Sequence, residues 1–100
     1  MEIIETSVFE YEAQRIFNEH EYLALINHLA CCPDSGKVIP GSGGLRKFRW
    51  QASGHGKRGG ARIIYYWYTQ HYQIILLRAY LKTEMEDLSV EQLRRLKSII

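Results

Sequence analysis

Residues 35–83 hold nine Lys or Arg and not one Asp or Glu. That absence removes several chemistries from this half of the chain. No carboxylate cluster stands there to hold a metal, and no acid is at hand to orient a histidine for nucleophilic catalysis. Cysteine is scarce too. Cys31 and Cys32 are adjacent, and neighbours on a helix can hardly bridge to each other. A disulfide framework is therefore not expected, and a reduced, cytoplasmic setting is. No stretch approaches the ~20 apolar residues that cross a bilayer, so no membrane partner is expected. The opening "MEIIETSVFE" is acidic and unlike a secretory leader.

What is present fits one small globular domain over residues 1–100. The apolar fraction of 46% is ordinary for a folded chain. The formal net charge of +2 conceals a strong asymmetry. Residues 1–34 carry seven acids against one base, and residues 84–100 carry four acids against three bases. The basic middle segment suits a polyanion, and the acidic start suits a basic protein surface.

Periodicity and punctuation predict the elements. A short β-prone opening holds Ile3 and Ile4. Ser7 and Glu10 have capping-box spacing, so a helix is expected from about Val8, with Phe9, Ala13, Ile16 and Phe17 on one face. Asn18 and Glu21 predict the cap of a second helix, whose apolar stripe is Tyr22, Leu25, Ile26 and Leu29 and which Pro33 stops. "KVIPGSGG" reads as a loop or edge segment. "LRKFRW", "ARIIYYWYT" and "YQIILLRAYL" read as strands, the last two joined by a tight turn near Gln70 and His71. Ser89 and Gln92 predict the cap of a closing helix, with Val90, Leu93, Leu96 and Ile100 in phase. The order β-α-α-β-β-β-α gives an α+β fold: a small antiparallel sheet with a helix pair on one face and a C-terminal helix.

Strand parity arranges the cations. Lys47 and Arg49 share a face against Phe48 and Trp50. Arg62, Ile64 and Tyr66 oppose Ile63, Tyr65 and Trp67. Arg78, Tyr80 and Lys82 oppose Leu77, Ala79 and Leu81. With helices over the Phe48–Ile63–Leu77 side, the other face presents Lys47, Arg49, Arg62 and Lys82 together. Like charges on neighbouring strands repel unless something anionic joins them, which makes this face a candidate phosphate-binding surface.

Other motifs carry less. "GHGKRG" matches G-x-G-x-x-G in letters only, since a strand rather than a helix follows and no acid lies about 20 residues on. A P-loop needs Ser or Thr where Arg58 stands. His28, Cys31 and Cys32 share a predicted helix and are expected to pack rather than to ligate. His55 and His71 fall in predicted turns. No metal and no cofactor is expected.

"IPGSGGLRKFRWQASGHGKRGGARIIYYW" followed by "LLRAYLKTEMEDLSVEQLRRLK" resembles the HigB branch of the RelE/ParE toxin superfamily. In that branch a Gly-Gly-Leu-Arg-Lys-hydrophobic-Arg strand leads to Gly-Lys-Arg-Gly-Gly-x-Arg-hydrophobic-hydrophobic-Tyr-Tyr. A Tyr-x-Lys-x-Glu…Asp-Leu segment then precedes the last helix. The likeness covers residues 38–97 closely and the first two helices by pattern. Some relatives place a tyrosine just after the last strand; here "TEMEDLSV" stands there and Tyr80 lies inside the strand. The resemblance implies a microbial-ribonuclease-like fold and the toxin of a toxin–antitoxin pair, a ribosome-dependent, metal-independent mRNA endonuclease that inhibits translation. It implies a cognate antitoxin protein, and the ribosome with bound mRNA, as partners. Lys47, Arg49, Arg62 and Lys82 match the catalytic basic positions. Lys37, Arg46, Lys57, Arg58 and Arg78 are the remaining candidates for RNA contact. A ParE-like toxin that binds gyrase without cutting RNA, and a non-catalytic RNA-binding module, are the other function classes open to such a surface.

Overall fold

The computed structural model describes residues 1–52 and 60–100. Among the described residues the strands and α-helices are, in chain order, β1 (Glu2–Glu5), α1 (Ser7–Ile16), α2 (Glu19–Cys31), β2 (Lys37–Val38), β3 (Arg46–Trp50), β4 (Ala61–Tyr68), β5 (Gln73–Leu81) and α3 (Val90–Ser98). They form a mixed five-stranded sheet in the order β1-β5-β4-β3-β2. Strand β1 runs parallel to β5, and every other neighbour is antiparallel. The short strand β2 adds to the expected order. It forms in the segment read as a loop or edge because Lys37 and Val38 pair with Lys47 and Arg46.

Caps explain where the helices begin. Two of the three expected capping boxes form, Asn18 with Glu21 and Ser89 with Gln92. Helix α1 starts differently: Thr6, one residue before the expected Ser7, accepts from the Phe9 N–H. Its hydroxyl in turn donates to the Leu76 carbonyl at 2.9 Å. That tertiary bond on β5 selects Thr6 over its neighbour. A 3₁₀ turn over Thr69–His71, closed by Tyr72 at φ 54°, joins β4 to β5.

Two apolar clusters sandwich the sheet. One joins Phe9, Ala13 and Ile16 of α1, Phe17, and Leu25 and Leu29 of α2 to Ile63, Tyr65, Ile74, Leu76, Ala79 and Leu81, with Phe48 and Trp50 packed against it. The other joins Leu45, Ile64, Leu77, Tyr80, Leu88 and Leu93. Leu77 therefore lies with Ile64, not with Ile63 as simple alternation predicts. The β4–β5 register shifts between Ile64/Arg78 and Tyr65/Leu76. This bulge leaves Leu77 without a partner and reverses its side. The second sheet face is consequently not bare: α3 and the segment before it cover its apolar half. Val90 and Ile100, expected in the buried stripe of α3, are 46% and 37% exposed. Ile100 lies beyond the helix end, and the burial falls on Leu93 and Leu96. No helix among the described residues is long and apolar enough to cross a membrane.

Candidate functional site

The register places Lys47, Arg49 and Arg62 on one sheet face, as parity predicts, while Lys82 lies beyond the paired residues. Arg49 lies directly opposite Arg62, and Arg62 in turn opposite Tyr80. Lys47 lies opposite Ile64 on one side and Lys37 on the other. Directly opposed side chains start only about 5 Å apart at Cβ, so Arg49 and Arg62 share one patch. Arg62 is 5% exposed, and its charge comes from the floor of the patch. Arg49 is exposed at the rim. Lys82 follows the last residue of β5; its N–H donates to the Gly60 carbonyl at 3.4 Å, and its side chain is exposed.

An acid from outside the basic segment joins them. Asp87 Oδ2 accepts from Lys47 Nζ at 3.1 Å, and Asp87 Oδ1 accepts the Tyr80 hydroxyl at 3.4 Å. The Lys47 ammonium holds the Asp87 carboxyl below its usual range, with Tyr80 and Arg62 acting in the same direction. Burial and the nearby Asp87 carboxylate push the Tyr80 phenol up to about 12, against the opposing pull of Arg62 and Arg78. Tyr80 is thus a neutral hydrogen-bond donor near neutral pH, not a base. Between these groups and α3 lies a hollow of about 160 Å³ lined by Ile39, Lys47, Ile64, Tyr80, Asp87, Leu88, Val90 and Leu93. A larger hollow of about 310 Å³ lies elsewhere, between β1, α1 and α2, and Glu5, Glu10 and Glu19 line it. Its negative walls suit a cation and repel phosphate, so the smaller hollow beside the cations is the candidate site.

The remaining basic candidates are scattered. Arg46 pairs with Tyr65, on the opposite face from Lys47. Its guanidinium donates to the Gly36 carbonyl at 2.7 Å and lies 5.6 Å from the Trp67 ring centroid. Arg78 is engaged internally: its Nε and Nη2 donate to the two Glu12 oxygens at 2.8 and 2.9 Å. Lys37 is exposed on the two-residue edge strand. Lys57, Arg58 and His55 lie outside the described residues.

His28 stacks on Phe48, with ring centroids 5.2 Å apart, and its Nε2 lies 2.9 Å from the Ser35 hydroxyl. His71 stacks on Tyr68 at 4.1 Å. Among the described residues no group of three or more His, Cys, Asp or Glu is placed to hold a metal ion. Asp87 and Tyr80 are the site residues that counting charge by segment misses. Their signal was the in-phase Tyr80 and the Asp-Leu that follows the last strand. No family model matches the chain.

Proposed function

We propose that this protein is a HigB-like toxin of the RelE/ParE superfamily, with a RelE-like arrangement of helix pair, sheet and closing helix, that cleaves mRNA on the ribosome. The observation that carries the reading is the opposed pair Arg49–Arg62 with Lys47 on the same sheet face, together with the motif order that the sequence shares with that family. RNA supplies its own nucleophile, the 2′-hydroxyl. Its attack on the adjacent phosphate builds negative charge on the non-bridging oxygens. Arg62 from the floor and Arg49 from the rim stabilise that charge, and a planar guanidinium suits bidentate contact with phosphate. Lys47, released from Asp87 and in its neutral amine form, takes the 2′-hydroxyl proton, and Lys82 protonates or stabilises the departing 5′-oxygen. No step requires a metal.

A cognate antitoxin restrains the enzyme in the cytoplasm. The acidic hollow between β1, α1 and α2 is where a basic antitoxin surface docks, leaving the cationic face open. Glu12 is not available for that contact, because it is bonded to Arg78 and to the Ala79 N–H. Charge reversal at Glu10 and Glu19 therefore weakens antitoxin binding more than Lys47→Ala does. Equal affinity of all three purified variants for the antitoxin counts against this docking mode.

The central test compares mRNA cleavage and growth arrest by wild type, Arg49→Ala and Arg62→Ala. Losing one preorganised charge donor costs about 10²–10³ in rate. Arg49 is exposed, so its variant keeps the fold even where removal of the buried Arg62 does not. A folded Arg49→Ala protein cleaving at the wild-type rate refutes the phosphate-clamp assignment. Growth arrest without RNA cleavage, relieved by gyrase overproduction, assigns the face to gyrase docking instead.

A further inference from the structure

The hollow beside Lys47 has a shape and polarity that phosphate binding alone leaves unused. Aliphatic side chains of Ile39, Ile64, Val90 and Leu93 form its walls, and Tyr80 and Asp87 are its polar groups beside Lys47. Pockets for drug-sized ligands hold roughly 300–1,000 Å³. At about 160 Å³ this one suits a single ring system rather than a whole nucleotide. Its aliphatic walls favour a flat group with apolar faces.

Asp87 sets the edge that such a group must present. An ionised carboxylate only accepts hydrogen bonds, and its two oxygens have about four lone-pair sites. Lys47 and Tyr80 each engage one oxygen, so each retains acceptor capacity. The side chain of Asp87 is 68% exposed, which leaves that capacity open at the mouth. Lys47 links the hollow to the cation patch, since it shares a sheet face with Arg49 and Arg62. A nucleotide whose phosphate meets these cations therefore has its base within reach of the hollow. RNA bases outside a helix are commonly read in this way, on their Watson–Crick edges.

We propose that this hollow is a nucleobase subsite that prefers guanine, whose adjacent N1–H and N2–H₂ donors meet the Asp87 carboxylate. Uracil offers one N–H between two carbonyls, which the carboxylate repels. Adenine and cytosine offer a single amino group beside an acceptor nitrogen. The inference rests on the phosphate-binding reading of the cation patch and adds base selection to it.

The test is a set of NMR titrations of the full chain at low salt with inorganic phosphate, guanosine 5′-monophosphate and uridine 5′-monophosphate. The guanine nucleotide should bind about tenfold more tightly than the uracil one, the low end for a bidentate base contact. Its shifts should reach Val90 and Leu93. Asp87→Asn exchanges one acceptor for a donor and should erase the difference. Val90→Trp fills the hollow and should bring the guanine nucleotide to the affinity of inorganic phosphate in the same variant. Equal binding of the two nucleotides, or a preference that survives Asp87→Asn, overturns the subsite. If phosphate binds and neither nucleotide improves on it, the subsite fails while the cation patch stands. If none of the three binds, the phosphate reading fails as well.

Discussion

Lys47 meets Asp87 at 3.1 Å, and that contact has a pH signature. The folded-state carboxyl lies below its ordinary value, so whatever stability the pair contributes is present above the unfolded pKa. It is lost as the pH falls through the folded one. The Asp87 side chain is 68% exposed, and exposed ion pairs contribute little to stability. We expect the Asp87 carboxyl carbon to titrate below the ordinary Asp value of about 3.9, and Lys47→Met to move that midpoint upward. The unfolding free energy should change by less than about 1 kcal/mol. An Asp87 midpoint that does not move in Lys47→Met shows that another group holds the carboxylate. The same carboxylate breaks the isolation of the cations, since its charge lies between Lys47 and Tyr80.

The edge of β5 beyond Leu76 shows how an element is finished by a side chain from elsewhere. Strand β1 pairs with β5 only as far as Glu5 and Leu76, and an open edge presents unpaired N–H groups. Glu12 of α1 closes it. One oxygen accepts from the Ala79 N–H at 3.1 Å while the carboxylate takes the Arg78 fork. Glu12→Ala should cost about 1–3 kcal/mol, because it strands a half-buried guanidinium and a backbone donor. Urea unfolding measures this, and a double-mutant cycle with Arg78→Ala should show coupling of about 0.5–3 kcal/mol. The connection from α2 to β2 depends on close approach. The Tyr65 hydroxyl accepts from the Gly36 N–H at 2.8 Å and donates to the Pro33 carbonyl at 2.7 Å. A Cβ on Gly36 would stand 2.8 Å from the Tyr65 ring and 3.0 Å from the Lys47 carbonyl. Gly36→Ala should therefore destabilise by about 1–3 kcal/mol, the usual cost of overpacking. Unchanged thermal unfolding would mean that the ring moves aside freely.

Across the whole molecule, charge counted along the chain overstates the charge available to a ligand. Nine cations lie in residues 35–83. Arg78 is held by Glu12, Arg46 by backbone carbonyls on the other face, and Lys47 by Asp87. The slope of log K against log salt for single-stranded RNA should then correspond to about four to six phosphate contacts, or roughly −3 to −4, rather than to nine. Filter binding across a salt series gives that slope. A value near −6 would mean that the internal pairs open on binding, and a slope near zero removes the polyanion reading altogether.

Local rules carry information only as far as local interactions reach. The caps at Asn18 and Ser89 were legible because capping boxes close within three residues. The shared face of Lys47, Arg49 and Arg62 was legible because side-chain alternation is a property of each strand alone. The choice of Thr6 as the cap of α1, the reversed side of Leu77 and the covering of the second face by α3 were not. Each depends on contacts between segments far apart in the chain. The Thr6 hydroxyl reaches a carbonyl 70 residues away, and Glu12 reaches Arg78 across 66. Asp87 was readable as the Asp-Leu after the last strand, but in a segment of mixed charge that signal does not select Lys47 as its partner. Packing Leu88 and Leu93 onto Ile64 and Tyr80 brings it there, so residue types and phase made a cationic face readable, while tertiary burial supplied the acid and the hollow beside it.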